Sequence, residues 1–177
     1  MVKIIFESHG TTVDNEAHIS SGWNDVELSE LGKRQAVELG ERYKNNLPDT
    51  VFCSDLQRSY GTAEIAFKGK SVPIIRDERL RECDYGKWSG RPSSEVEPER
   101  GNRITVPFPG GESYEQTSLR IKSFLDHLAE NYEGKTVMII GHRATQCGLE
   151  YWIKEVDLYK AVTTPWKWQP GWTYLLR

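Results

Sequence analysis

Two histidines, two arginines and a carboxylate stand where short apolar runs give way to polar, glycine-bearing stretches. They are His9 in FESHGTT, Arg58 in SDLQRSY, Glu82 in LRECDYG, and His142 with Arg143 in IIGHRAT. Together these types suit chemistry on a phosphate ester. A neutral imidazole can attack phosphorus. A guanidinium binds phosphate through forked hydrogen bonds. A carboxylic acid can protonate the leaving oxygen. Gly10 follows His9, and without a side chain it lets backbone approach an anion. Arg143 would open a helix, a poor place for a cation unless an anion is near. Each residue also has a plainer reading. A lone histidine at a strand end is more often structural than catalytic. Arg58 alone fits an exposed helix face, and Glu82 has acidic neighbours in Asp77, Glu78 and Asp84. His18 and His127 carry no supporting pattern and read as surface residues.

The elements that must position these groups follow from the hydrophobic pattern. Val2 to Phe6, TVFCS (50–54), VPIIRD (72–77), TVMII (136–140) and WTYLL near the end read as strands. Helices are expected from Ser29, an N-cap, with Leu31, Ala36, Leu39 and Tyr43 as its apolar stripe. Others are expected over DLQRSYGTAEIAF, capped by Ser54 or Asp55, over about 112–132, and from His142 to about Lys154. The stretch from Glu7 to Leu28 reads mostly as loop. Strands alternating with helices predict an α/β fold, a three-layer αβα sandwich with a mostly parallel central sheet. In such sheets ligands bind beyond the carboxyl ends of the strands, where His9, Ser54 and His142 fall.

A chain of 177 residues suits one domain, read as 1–177 with a short cap segment at about 84–110. Its 37% hydrophobic and 28% charged residues are ordinary for a globular protein. A net charge of −3 and a pI of about 5.9 argue against a general nucleic-acid or membrane-surface binder. No apolar run approaches the roughly 20 residues of a membrane span. The N-terminus reads directly into a strand with no leader pattern. Cys53, Cys83 and Cys147 are too few and too scattered for a disulfide framework or a zinc site, which suits a reducing cytoplasm.

Taken in order, SHGTTVDN, SGWNDVELSELGKRQA, VFCSDLQRSYGTAE, LRECDYGKWSG, PGGES and VMIIGH resemble the successive motifs of the histidine phosphatase superfamily, the phosphoglycerate-mutase-like proteins. The resemblance runs from Val2 to about Leu149. It implies a phosphorylated histidine at His9, a phosphate-binding arginine at Arg58, a second pocket histidine at His142 and a proton donor at Glu82. It further implies phosphoryl or substrate contacts at Asn15, Ser21 and Gly22, no cofactor and no metal, and a small phosphorylated substrate. The interval from about Trp88 to Pro109 is short beside the family's cofactor-dependent mutases, which favours hydrolysis over retention of the phosphoryl group. A mutase or transferase reaction, and a divergent member that only binds an anionic ligand, are the alternatives.

One departure stands out. Ser8 occupies the place of the arginine in the family's Arg-His-Gly motif, so a phosphate-site guanidinium is missing. With Glu7 adjacent, a raised His9 pKa is one expectation, unless strand alternation turns Glu7 away. Arg143, where the family usually has a small residue, is the expected replacement, reaching the phosphate from the opposite rim. Trp166, Trp168 and Trp172 form an indole-rich tail that suits core or homodimer packing, or a stacking wall for substrate.

Overall fold

The apolar runs pair into a five-stranded sheet in the computed structural model, which describes residues 1–177. Its strands are β1 (Val2–Ser8), β3 (Thr50–Cys53), β4 (Ile74–Arg76), β6 (Thr136–Gly141) and β7 (Trp172–Leu176). A separate two-residue pair joins β2 (Ile19–Ser20) to β5 (Arg91–Pro92). The order is β4-β3-β6-β1-β7. All neighbours run parallel except β7, which lies antiparallel along β1 at one edge. The fold is therefore the expected α/β sandwich with a mostly parallel sheet.

Alternation along the strands assigns the two faces. Ile4, Phe6, Val137 and Ile139 point to one side, where α5 (Tyr114–Asn131) and α6 (Arg143–Lys154) bring Ile121, Phe124, Leu125, Leu128 and Leu149. Ile5, Met138 and Ile140 point to the other, where α2 (Glu30–Tyr43) and α3 (Gln57–Ala66) bring Leu39, Ala63 and Ala66. Covering both faces is what makes these strands apolar throughout. A third cluster lies off the sheet. Tyr85, Val96, Phe108 and Tyr114 meet α7 (Leu158–Thr163) there, joining segment 84–110 to the main body.

The stretch 7–28 is mostly loop, interrupted by the end of β1 through Ser8, by α1 (Val13–Glu16) and by β2. Thr12 caps α1 by accepting the Asn15 N–H, and the Asn15 side chain accepts the Thr12 N–H in return. Two local expectations need correction. Neither Ser54 nor Asp55 caps α3. Asp25, distant in sequence, accepts the Gln57 N–H at 2.7 Å, while Asp55 pairs with Arg81. Ser29 does cap α2, but Leu31 is exposed, and the inward face is Gly32, Ala36, Leu39 and Gly40. Glycines face inward because backbone packs directly on them.

At Gly40 an added Cβ would lie 2.2 Å from the Ala66 carbonyl oxygen, so α2 and α3 touch backbone to backbone. Gly40→Ala should destabilise the fold by about 1–3 kcal/mol, the usual cost of overpacking. Gly61→Ala in α3 meets nothing closer than Leu28 at 3.7 Å. It should be neutral or stabilising by up to about 1 kcal/mol, as helix propensity dictates. Urea unfolding of both variants checks the contrast, and equal losses would contradict this packing.

Candidate active site

The register of β1 on β6 sets Ser8 opposite Gly141, so the next residue of each strand end falls side by side. Those residues are His9 and His142, with ring centroids 5.0 Å apart. The His9 N–H donates to the Gly141 carbonyl, locking the pair at the backbone. His142 is extended and precedes α6, and its N–H is taken by Thr145 Oγ1 at 3.0 Å. The neighbouring strand β3 ends one residue before Ser54, whose Oγ lies 2.6 Å from His142 Nε2.

The tautomer of His9 follows from its partner. Nδ1 lies 2.7 Å from the Gly10 carbonyl oxygen, which can only accept, so Nδ1 carries the hydrogen. Nε2 is left with a free lone pair. Burial and the nearby Arg58 guanidinium push the His9 pKa down to about 3, against a weak opposing pull from Gly10. Burial, Arg58 and His9 together hold His142 well below the ordinary histidine range. Both rings are neutral near pH 7. His142 Nδ1 is buried and has no protein partner. Ser54 Oγ accepts the Leu56 N–H and can donate its own hydrogen to Nε2.

Arg58, on α3, is buried, and its fork is held by neutral acceptors: Nη2 donates to the Gly22 carbonyl at 2.6 Å and Nη1 to that of Asn24 at 3.0 Å. Carbonyls aim the guanidinium without cancelling its charge. Glu82 is also buried. Its Oε1 accepts the N–H groups of Cys83 at 2.8 Å and Ala144 at 3.2 Å, which fixes the carboxyl and leaves Oε2 without a hydrogen bond to the protein. All four side chains line one cavity of about 660 Å³, within the usual range for small-molecule sites.

Residues 4–166 match the Histidine phosphatase superfamily (branch 1). The chain belongs to that superfamily. It is 34% identical over 161 residues to phosphoserine phosphatase 1 of Hydrogenobacter thermophilus, covering 84% of this chain and 76% of that protein. A 2,3-bisphosphoglycerate-dependent phosphoglycerate mutase of Bifidobacterium longum is 38% identical over 105 residues, covering 56% of this chain and 43% of that one. The chain thus spans under half the length of that curated relative. Among solved structures, Bacillus stearothermophilus YhfR superposes with a TM-score of 0.83 at 28% identity, covering 94% of this chain and 86% of its own. Membership supports a phosphatase or mutase type of activity.

In this superfamily member the other sequence candidates also border the cavity: Ser8, Gly10, Asn15, Ser21, Gly22 and Arg143. Several have partners that the sequence did not announce. Ser21 donates to Asp14 at 2.8 Å, and Gly22, at φ +55°, offers its carbonyl to Arg58. Gly10 is also required to be small by packing. A Cβ there would sit 2.5 Å from the Gly32 carbonyl oxygen, and the Gly10 N–H already donates to Thr62 Oγ1. Arg143 offsets its poor position on α6 by reaching the last turn of α7. Nη2 donates to the carbonyls of Ala161 at 2.9 Å and Thr164 at 2.6 Å, and Nη1 to Gln146.

The idea that Glu7 raises the His9 pKa is overturned. Glu7 turns to α2, where Arg42 donates to it at 3.0 Å and Tyr43 at 2.7 Å, and the shift at His9 is downward. Sequence reasoning missed Ser54 as the partner of His142, Thr62 under Gly10, and the group Gln35, Glu38 and Arg42 that extends the cavity. The helical phase of Gln35, Glu38 and Arg42, spaced three and four apart on α2, was the available signal. Trp166 and Trp168 are 41% and 56% exposed and border the same cavity, while Trp172 is buried against Phe6.

Two-bond ¹H–¹⁵N correlations should show His9 as the neutral Nδ1–H tautomer down to about pH 5, and a cationic ring at pH 6 would contradict the geometry. Linkage sets the stability trend. The unfolded chain takes up protons on both histidines below about pH 6.5, while the folded His9 resists until about 3. Stability is therefore present above pH 6.5 and declines as pH falls through that window. The decline in Tm should be shallower in His9→Gln.

Proposed function

We propose that the protein hydrolyses a small phosphorylated metabolite by two-step phosphoryl transfer through His9, with segment 84–110 as a cap over the site. The observation that carries this reading is the His9–Gly10 hydrogen bond, which leaves Nε2 as an unprotonated nucleophile in a cavity shared with Arg58, Glu82 and His142. In the first step Nε2 forms a bond to phosphorus as the bond to the leaving oxygen breaks. Glu82 Oε2 delivers its proton to that oxygen. In the second step water attacks phosphorus, Glu82 takes a proton from the water, and the P–N bond breaks to return neutral His9 and inorganic phosphate. Arg58 and His142 stabilise charge on the equatorial oxygens, where it collects in the transition state.

The cap is brief, consisting of β5, α4 (Ser93–Val96) and a 3₁₀ segment over Glu97–Arg103. That brevity favours water as the acceptor over retention of the phosphoryl group for transfer. The Hydrogenobacter relative, named for phosphoserine, supports a monoester of similar size as the substrate class. Three buried free thiols, Cys53, Cys83 and Cys147, suit a reducing cytoplasm.

Phosphate release from p-nitrophenyl phosphate and a panel of phosphorylated metabolites tests the reading. Turnover should pass through an acid-labile, base-stable phosphoenzyme that His9→Ala abolishes. Glu82→Gln should cost about 10²–10⁴-fold with alkyl monoesters, the range for loss of a general acid. The loss should be much smaller with p-nitrophenyl phosphate, whose leaving group departs without a proton. Neither phosphoenzyme nor phosphate release across the panel would favour a binding protein instead.

A further inference from the structure

We propose that Arg100, carried by the cap, supplies the second guanidinium to the phosphoryl group, the charge that Ser8 beside His9 does not bring. This rests on the phosphoryl-transfer reading and assigns a residue within it.

The case is made by the donors left over. A phosphate monoester dianion seated at His9 meets Arg58, which carries one positive charge, and two neutral imidazoles. Three other arginines border the cavity: Arg42, Arg100 and Arg143. Arg42 is paired with the buried Glu7 carboxylate, so its charge is already matched. Arg143 has both Nη2 hydrogens on the carbonyls of Ala161 and Thr164, and Nη1 on Gln146. Its fork is turned to the end of α7.

Arg100 differs from both. Its side chain is only 19% exposed, its Nε is buried with no partner, and no acceptor holds Nη1. Nη2 reaches Tyr85 OH at 3.5 Å, the outer limit of a hydrogen bond, and Glu97 at 3.8 Å. A guanidinium removed from water with its donors unsatisfied is costly. An anion in the cavity would satisfy that fork in the bidentate geometry arginine favours. Arg58, Glu82 and Arg100 border the same cavity. The two arginines come from separate parts of the chain, Arg58 from α3 and Arg100 from the 3₁₀ segment. A phosphoryl group held between them would tie the cap to the main body.

Arg103 provides the control. It lies on the same segment, 18% exposed and also with a buried unpartnered Nε, but it packs on Trp88 and Phe108 and does not border the cavity. The experiment measures inorganic phosphate binding by calorimetry, vanadate inhibition, and kcat/KM for p-nitrophenyl phosphate in wild type, Arg100→Ala, Arg100→Lys and Arg103→Ala. Arg100→Ala should weaken phosphate and vanadate binding and lower kcat/KM by about 10²–10³-fold, the usual loss for one transition-state donor. Arg100→Lys should recover part of this, and Arg103→Ala should leave phosphate binding unchanged. The double variant Ser8→Arg with Arg100→Ala should regain activity over Arg100→Ala alone. Wild-type phosphate affinity and turnover in Arg100→Ala would overturn the assignment. If Arg100→Ala is unstable, Arg100→Lys decides: unaltered phosphate affinity and kcat/KM overturn it, since an ammonium cannot reproduce the fork. A wild type that binds phosphate through Arg100 yet turns over no ester would instead refute the hydrolytic reading and leave this one standing.

Discussion

The parallel pairing of β1 with β6 is the constraint on which the site depends. It sets Ser8 opposite Gly141, and the next residue of each chain becomes a histidine in the same small volume. Parallel neighbours direct their carboxyl ends to one side, so β3 delivers Ser54 to the same place. The sheet is held by apolar side chains on both faces, and these say nothing about catalysis. Their effect is to make a one-residue slip prohibitive, because a slip would exchange Ile4 and Phe6 for Ile5 across the two cores. The separation of the rings is inherited from that register.

Low polarity then decides the protonation states. Two imidazoles in contact, beside a buried guanidinium, cannot both be charged, and here neither is. Neutrality supplies the lone pair at His9 Nε2. The arginines divide by partner. Arg42, Arg81 and Arg120 face carboxylates in Glu7, Asp55 and Glu112, and their charges are matched within the protein. Arg58 is aimed by carbonyls alone, so its charge remains available to a ligand. A fixed, uncancelled charge needs no rearrangement when negative charge develops.

The strands and the main helices were legible because burial on two faces writes continuous apolar runs, and because Ser29 is a cap residue that local sequence shows. His9, Arg58, Glu82 and His142 were legible as a set from their types and their places after apolar runs, and their separate roles only through the order of motifs. What stayed hidden depends on distant pairs. Nothing near Gln57 indicates that Asp25 will cap α3, and nothing near Arg143 indicates that Thr164 will accept its hydrogen bond. Leu31 was misread because an apolar stripe assumes side chains fill the gap between layers. Where Gly32 approaches the Thr11 carbonyl there is no gap, and the helix phase is set by the absence of side chains.

The glutamate before Ser8 shows how the same strand serves two ends. Alternation sends Glu7 to α2, where Arg42 and Tyr43 satisfy it, and Arg42 in turn lies over the Trp168 ring at 5.8 Å. Charge at Glu7 is thus absorbed before it can act on His9. The small side chain of Ser8 leaves the His9 region continuous with that polar and indole-lined extension, since both border one cavity. A phosphoryl group fills only a minor part of about 660 Å³. On the phosphoryl-transfer reading, discrimination between substrates would arise from the larger remainder, along Gln35, Glu38, Arg42 and the two exposed indoles. On that reading the reacting end is set by sheet register, and the selecting end would be a helix face and the segment ahead of β7. Substitutions in the second would then change the leaving group accepted without disturbing the neutral histidine pair.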